Sequence, residues 1–103
     1  MSVKQYNRQS TGPALLFVKA TWCGYCKSAA PEIRKAASIM GSVVPVYEID
    51  SEKHADVVES MKIDGFPTIF FRTATGQLKT YRGERTGQKI ADWACTQSGG
   101  CGR

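Results

Sequence analysis

Apolar residues in the first half of the chain follow two different patterns. Residues 14–19 (ALLFVK) form a nearly continuous apolar run after a turn-forming segment, which predicts a strand covered on both faces. Between residues 25 and 40 the apolar positions recur every three or four residues, the period of an amphipathic helix, and Gly41 marks its end. Pro31 lies inside this helix and predicts a kink, because the apolar period continues beyond it. Residues 43–49 (VVPVYEI) predict a second strand that is apolar on both faces.

The second half of the chain predicts a short helix and a hairpin. The short helix begins after a cap at Asp50 or Ser51 and reaches about Met61. Residues 68–72 and 77–82 have the composition of strands, and the link between them has the length of a hairpin turn and contains a glycine. We therefore expect these two strands to be antiparallel neighbours.

The order of these elements predicts an α/β fold. A last helix over residues 87–96 follows Thr86 as its cap, so the chain starts with an N-terminal helix or coil and continues as β-α-β-α-β-β-α. Parallel strands joined by helices, followed by a hairpin and a helix, give a central mixed sheet flanked by helices on both faces.

The chain has 103 residues, which is enough for one domain of ordinary size and too few for two. Its longest apolar run, residues 14–18, is far shorter than the roughly 20 residues that span a bilayer, and its first residues contain no apolar secretory segment. We therefore expect a domain over residues 1–97 and a flexible tail containing glycines and a cysteine over residues 98–103. We also expect a cytoplasmic protein that does not bind membranes.

Fourteen Lys and Arg residues against nine Asp and Glu residues give a formal net charge of +5. The basic residues are spread along the chain, and we interpret the densest stretch, residues 72–89, as the solvated edge of a sheet. No motif combines a basic face with aromatic residues or a groove-entering helix, so we expect no nucleic-acid partner.

Cys23 and Cys26 form a C-x-x-C where the first strand passes into the first long helix. The first turn of a helix has free backbone N–H groups and the positive end of the helix dipole, and both stabilise a thiolate over a thiol. We therefore expect Cys23 to be the nucleophile at neutral pH. Cys26, one turn further on, is expected to be the more buried thiol that closes a disulfide with it. A C-x-x-C in this position is typical of a redox motif.

The other two cysteines lie near the C-terminus. Cys95 is too far from the C-x-x-C for a zinc ribbon, and we interpret it as a bystander on the last helix. Cys101 lies in a glycine-rich segment, where we expect an exposed thiol that forms mixed disulfides, either incidentally or as a regulatory device. His54 has no neighbouring ligand residues and is interpreted as a solvated or capping side chain, so we expect no metal site.

Residues 22–27 (WCGYCK) and residues 65–68 (GFPT) are two separated motifs, and together they resemble those of the thioredoxin superfamily. Residues 22–27 (WCGYCK) are similar to the W-C-G-x-C-K signature of thioredoxins and protein disulfide isomerase domains, and Pro31 matches the proline that kinks their first long helix. Residues 65–68 (GFPT) resemble the second signature, in which the proline is cis and faces the dithiol. Gly83 matches a glycine that usually follows the last strand, so the resemblance covers about residues 14–94.

The resemblance implies a thioredoxin fold, with a central mixed sheet flanked by helices. Residues 1–12, however, lack the alternating apolar run of the family's usual first strand. We therefore expect four strands instead of five.

The resemblance also implies a role for each residue of the two motifs. Cys23 would attack a substrate disulfide and Cys26 would resolve the mixed disulfide. The backbone at Phe66 would pair with an extended substrate segment, while the ring of Pro67 would keep metal ions from the thiols.

The residues around the dithiol are expected to contact the substrate. Trp22 and Phe66 would supply an apolar rim, and for Trp22 the alternative is an ordinary core aromatic. Gly24 and Tyr25 separate the two cysteines, and Gly-Tyr is neither the Gly-Pro usual in reducing thioredoxins nor the Gly-His usual in disulfide isomerases. The direction of the reaction is therefore left open.

The chain departs from the family pattern beneath the dithiol. Phe17 stands where thioredoxins and disulfide isomerases carry a buried acid, and the usual lysine partner of that acid aligns with Val46. Loss of both partners avoids the cost of one buried unpaired charge. Lys19 lies on the same strand face as Phe17, and we hypothesise that its ammonium stabilises the Cys23 thiolate; the alternative is a solvated lysine at the end of a strand.

The sequence thus predicts an enzyme, a thiol–disulfide oxidoreductase that cycles between a Cys23–Cys26 disulfide and a dithiol without a bound cofactor. Protein disulfides would be its substrates, a thiol or flavoprotein reductase its electron source, and the protein would be a monomer. A disulfide isomerase or oxidase is the first alternative, since residues 81–86 resemble the end of a disulfide isomerase domain.

Two further alternatives belong to other classes. A non-enzymatic binding module is motivated by Phe17 and Val46. Two chains sharing a metal or iron–sulfur cluster through their C-x-x-C thiolates would be the third possibility, which a guarding Pro67 disfavours.

Overall fold

Residues 3–101 are described by the computed structural model, and they form a mixed five-stranded sheet with helices on both faces. The elements are β1 (Lys4–Gln5), β2 (Ala14–Lys19), α1 (Gly24–Met40), β3 (Val46–Asp50), α2 (Ala55–Ser60), β4 (Thr68–Arg72), β5 (Leu78–Thr80) and α3 (Gly87–Gln97). No helix in this part of the chain has the length and apolarity needed to cross a membrane.

β2 is the central strand of the sheet, whose order is β1-β3-β2-β4-β5. It pairs with β3 in parallel, where Phe17 lies opposite Glu48, and with β4 in antiparallel, where Phe17 lies opposite Ile69. Its first five residues are completely buried because neighbouring strands and helices cover it from every side, which explains the continuous apolar run. The central strand delivers the C-x-x-C to one end of the sheet.

Alternate side chains of the sheet supply two separate cores. On one face, α1 and α3 pack over Leu15, Phe17 and Phe71, and this core includes both cysteines of the C-x-x-C. On the other face, Val58 of α2 packs against a smaller cluster that includes Leu16. The predicted α/β architecture with helices on both faces is confirmed.

The long helix α1 begins and ends where the sequence predicts. Pro31 lies inside the helix, and Gly41 ends it. The φ of Gly41 is 61°, a backbone conformation that residues other than glycine rarely adopt. The backbone N–H of Gly41 donates to the Ala37 carbonyl oxygen at 3.0 Å. At the other end of the chain, the Thr86 hydroxyl accepts from the Lys89 N–H at 3.3 Å, so the predicted cap of the last helix is also present.

The prediction of four strands is wrong, because the sheet has a fifth strand, β1. β1 has only two residues, and both are exposed, so no apolar alternation announces it. It is held by parallel pairing, with Lys4 opposite Tyr47, and by a 2.9 Å hydrogen bond from the Tyr6 N–H to the Glu48 carbonyl oxygen. Backbone pairing along the open edge of β3 holds this strand, together with a hydrogen bond from the Gln5 side-chain amide to the Glu48 carboxylate.

Three predicted elements are shorter in the structure. β5 covers Leu78–Thr80 instead of residues 77–82. β3 starts at Val46 instead of residue 43, and Val43 is half exposed. α2 starts at Ala55 instead of directly after Asp50, because the Asp50 carboxylate accepts the Glu52 N–H at 2.8 Å and stabilises a turn at that point. Both β3 and α2 nevertheless lie in the predicted order.

The C-terminal segment contains a disulfide that the sequence analysis did not foresee. Cys95, on α3, is bonded to Cys101, with a Cα–Cα distance of 5.1 Å. Cys101 is half-buried and packs against the core beneath α1 and α3, so the expectations of a bystander Cys95 and an exposed free Cys101 thiol are wrong. α3 ends at Gln97, and residues 102 and 103 lie outside the described part of the chain. The division into a domain over residues 1–97 and a flexible tail over residues 98–103 stays a prediction.

Candidate active site

Cys23 is the residue that caps the N-terminus of α1. Its sulfur accepts the backbone N–H of Cys26 at 3.0 Å, and its own N–H donates to the Ala20 carbonyl oxygen at 3.2 Å. A helix N-terminus offers unpaired N–H groups and the positive end of the helix dipole, and the Cys23 sulfur lies at that end. The structure places both cysteines at the strand-to-helix junction that the sequence indicates.

Cys26 lies one turn further along α1 and points into the core. The pKa of the Cys26 thiol is raised to about 11. Burial is the main cause of this rise, and a hydrogen bond with Cys23 is the second. Both cysteines are buried: Cys23 is 4% exposed and Cys26 is 3% exposed. The sequence analysis expected Cys26 to be the more buried of the two, but the exposed fractions hardly differ. Their hydrogen-bonding surroundings separate them instead: the Cys23 sulfur accepts from the helix end, and the Cys26 thiol is protonated at neutral pH.

The two large side chains beside the dithiol are exposed. Trp22 is 71% exposed and Tyr25 is 73% exposed, which excludes the alternative of Trp22 as a core aromatic. Large apolar side chains left in solvent around a reactive group form a surface on which a partner chain can lie. Gly24, between them, is the first residue of α1, and a Cβ there would meet no atom within 4 Å.

The Phe66–Pro67 peptide bond, just before β4, is cis. The Phe66 ring packs edge-on against Trp22 with ring centroids 5.7 Å apart, so the two motifs of the sequence meet in space. Pro67 is buried and starts the turn into β4. Phe66 and Trp22 together form the apolar rim that was predicted for them, while their contact with a substrate stays a prediction.

Arg85 is a site residue that the sequence analysis missed. It is exposed on the loop between β5 and α3, and its positive charge lowers the pKa of Cys26, against the larger effect of burial. The residue follows a Tyr-Arg-Gly-Glu segment that the sequence analysis noted only as a resemblance. Its loop is shaped by the Tyr81 hydroxyl, which donates to the Glu84 carbonyl oxygen, and by Gly83, where a Cβ would come within 2.7 Å of the Tyr81 hydroxyl oxygen.

Lys19 forms an ion pair that the sequence analysis did not foresee. Its ammonium lies 3.1 Å from a carboxylate oxygen of Glu48, a neighbour on β3, so it forms an ion pair there, and its effect on the Cys23 thiolate stays a prediction. The alternation along β3 places Glu48 on the same sheet face as Val46, next to the strand that carries Phe17 and Lys19, and this signal was available in the sequence. Phe17 and Val46 are themselves buried in the core with the dithiol, as apolar replacements require.

His54 is not the solvated or capping side chain that was expected. It precedes α2 without a side-chain capping bond, is half-buried, and packs edge-on against the Tyr6 ring at 5.1 Å. Its Nδ1 is buried without a hydrogen-bond partner among the described residues. Across residues 3–101, no three His, Cys, Asp or Glu side chains gather in a way that could hold a metal ion.

A mixed sheet with a C-x-x-C at the N-terminus of a long helix and a cis-proline before β4 defines a thioredoxin-fold domain. The family model described as Thioredoxin matches residues 2–96, so the chain belongs to the thioredoxin family. Protein disulfide-isomerase A6 of Mesocricetus auratus is 36% identical over 98 residues, covering 91% of this chain and 22% of that protein. Protein disulfide-isomerase A6 homolog of Caenorhabditis elegans is 43% identical over 74 residues, covering 71% and 17%. This chain spans about a fifth of the length of these relatives.

Solved structures give the same picture of the fold. The first thioredoxin domain of mouse Protein disulfide-isomerase A4 matches with a TM-score of 0.71 and 33% identity, over 80% of this chain and 60% of that one. Chloroplastic thioredoxin z matches with a TM-score of 0.78 over 97% of both chains, and its 23% identity supports the fold alone.

Proposed function

We propose that the protein is a thiol–disulfide oxidoreductase acting on protein disulfides. The observation that carries the proposal is the hydrogen bond from the Cys26 N–H to the Cys23 sulfur at the N-terminus of α1, beside the rim of Trp22 and Phe66. The protein disulfide isomerases among its relatives support the same class of activity.

The chemistry is two successive exchanges of a disulfide. The Cys23 thiolate attacks one sulfur of the substrate disulfide, which forms a mixed disulfide and releases the other substrate sulfur as a thiolate. The Cys26 thiol then gives up its proton to solvent or to the departing thiolate and attacks the Cys23 sulfur. This step closes the Cys23–Cys26 disulfide and releases the second substrate thiol, so the substrate gains two electrons and the protein loses two. The reverse sequence oxidises a substrate dithiol.

Two features of Cys26 fit its role as the resolving thiol. Its raised pKa keeps it protonated while Cys23 makes the first attack, so the two sulfurs do not compete. The charge of Arg85 opposes that rise and favours the Cys26 thiolate when the proton must leave.

The second candidate is a disulfide isomerase or oxidase. The relatives named protein disulfide isomerases favour it, and Gly24 and Tyr25 do not specify a reducing protein. A non-enzymatic binding module is favoured by no contact in the site, whose two thiols are free in this structure.

The proposed function also needs a cellular compartment, an electron source and an oligomeric state. A cytoplasmic location was predicted, but the Cys95–Cys101 disulfide favours an oxidising compartment, since cytosolic thiols are kept reduced. A thiol or flavoprotein reductase would supply electrons for reduction, while an oxidising partner would be needed for the reverse direction. We propose that the protein acts as a monomer.

A trapping experiment tests the activity. Cys26→Ser should accumulate a mixed disulfide between Cys23 and a disulfide-bonded substrate protein, because the resolving thiol is gone. Cys23→Ser is the matched control and should trap none. Equal trapping by both variants, or none by Cys26→Ser, would refute the proposed cycle, and full activity of Cys23→Ser in the cell would favour the binding module.

A further inference from the structure

An open groove of about 520 Å³ runs alongside the cis-proline. It lies between two segments, residues 61–70 on one side and residues 80–83 with Arg85 on the other. We call this feature the basic groove. Its lining includes Phe66 and Pro67, so the groove is continuous with the apolar rim beside the dithiol.

The charged side chains of the basic groove are unbalanced. Lys62, Arg82 and Arg85 line it, and Asp64 is its only lining acid. The ion pairs within residues 3–101 join other residues, so none of the three cations is neutralised by a salt bridge there. Glu84, the acid beside Arg85 in the chain, is paired with Lys89 at 3.3 Å.

The positions of the three cations extend this charge along both sides of the groove. Lys62 precedes the cis-proline, and its φ of 58° is a left-handed conformation that is uncommon for a residue other than glycine. Arg82 and Arg85 follow β5, on the opposite side. All three side chains are exposed, so a bound chain can reach them without a rearrangement of the core.

We infer that the basic groove selects substrates whose disulfide is flanked by acidic residues. The inference rests on the proposed function and names the substrate class for the same site. An extended segment lying across Phe66 would bring its disulfide to Cys23 and its neighbouring Asp or Glu side chains between Lys62 and the arginines. Charge complementarity of this kind raises the rate of encounter and disfavours basic partners.

The test uses two peptides that contain the same intramolecular disulfide and differ only in flanking residues, glutamates in one and lysines in the other. The reduced protein is mixed with each peptide in a single turnover, so no other reductant is needed, and the rate of peptide reduction is measured. At low ionic strength we expect the acidic peptide to react about tenfold faster, with the preference falling to about twofold at high salt.

Charge-reversal variants locate the effect in the groove. Arg82→Glu and, on the opposite side, Lys62→Glu should each lower the preference at least threefold. Lys53→Glu makes the same change in net charge outside the groove and should leave the preference intact. Arg85 is not used here because its charge also acts on Cys26.

The outcomes separate this inference from the proposed function. Reduction of both peptides at equal rates at low salt would overturn the inference and leave the oxidoreductase proposal standing. An equal loss of preference in Lys53→Glu would also overturn it, because net charge alone would then explain the effect. Failure of the protein to reduce either peptide would overturn both.

Discussion

The backbone N–H of Cys26 donates to the sulfur of Cys23 across 3.0 Å, so the side chain of the first cysteine caps the helix that carries the second. The same residue keeps its own thiol in the core, where burial raises its pKa. One turn of helix thereby gives the two cysteines different surroundings: the Cys23 sulfur accepts a hydrogen bond at the helix end, and burial favours the neutral thiol of Cys26.

The titration of Cys26 gives a first prediction. In Cys23→Ala the hydrogen bond with Cys23 is lost, but burial is the larger cause of the raised pKa and remains. We expect the Cys26 thiol to titrate above its ordinary value of 9.0, so its alkylation rate should still be rising with pH beyond that point. Rates of alkylation between pH 6 and 11 measure this, and a plateau by pH 8 would contradict the account.

Removal of the charge at Arg85 should move the same titration upward. Arg85→Ala deletes a charge that lowers the pKa of Cys26, so the thiolate becomes scarcer at neutral pH. We expect resolution of the mixed disulfide to slow about two- to fivefold. The effect is small because Arg85 is exposed, and solvent screens its charge. Arg85→Lys retains the charge and should behave like the wild type; equal slowing in both variants would point to the shape of the side chain instead.

The contact between α1 and α3 predicts an unequal cost for two glycine substitutions. Gly87 is the first residue of α3, and a Cβ there would lie 2.7 Å from the Lys35 Cβ and 3.0 Å from the Glu32 carbonyl oxygen. Gly87→Ala should therefore lower the free energy of unfolding by about 1–3 kcal/mol, despite the better helix propensity of alanine. Gly24→Ala is the matched control at the first residue of α1, where a Cβ meets nothing within 4 Å. Urea unfolding should show little loss for Gly24→Ala, and equal losses would contradict the packing argument.

The disulfide at the C-terminus should contribute measurably to stability. Cys95 and Cys101 are six residues apart, and closing so short a loop in the unfolded chain is worth about 2 kcal/mol in the chain-entropy account. Cys101→Ser should lose that amount under oxidising conditions. The comparison is made with Cys23 and Cys26 both replaced by serine, so that no other pair of thiols responds. Adding reductant to the parent should then produce the same loss, and an unchanged parent would show that the disulfide does not stabilise the fold.

The parts of the structure that a sequence pattern can encode were the parts it predicted. Residues 14–18 are buried from every side, and α1 keeps its apolar period from Cys26 to Met40. Long, strongly patterned elements bury enough surface for their composition to reveal them. The C-x-x-C was found because it lies where a predicted strand passes into a predicted helix, and the segment before β4 was found only through its resemblance to a family motif.

The missed features depend on contacts between distant parts of the chain. β1 consists of two exposed residues that are ordered by the open edge of β3, and nothing in its own sequence announces this pairing. The Cys95–Cys101 bond requires the chain to turn back after α3, which a glycine-rich segment permits but does not specify. The Lys19–Glu48 ion pair forms because β2 and β3 pair in one particular register. A shift of one residue would have placed the two side chains on opposite faces of the sheet.

The central claim is that Cys23 and Cys26 cycle as one two-electron couple. The most direct test is equilibration of the protein with glutathione buffers of known potential, followed by thiol trapping and mass spectrometry of the peptide that contains both residues. Trapping at this peptide excludes the signal of Cys95 and Cys101. We predict a single reversible transition between about −270 mV, the value of a reducing thioredoxin, and about −120 mV, the value of a strong oxidant. The absence of any reversible transition at this peptide would contradict the account.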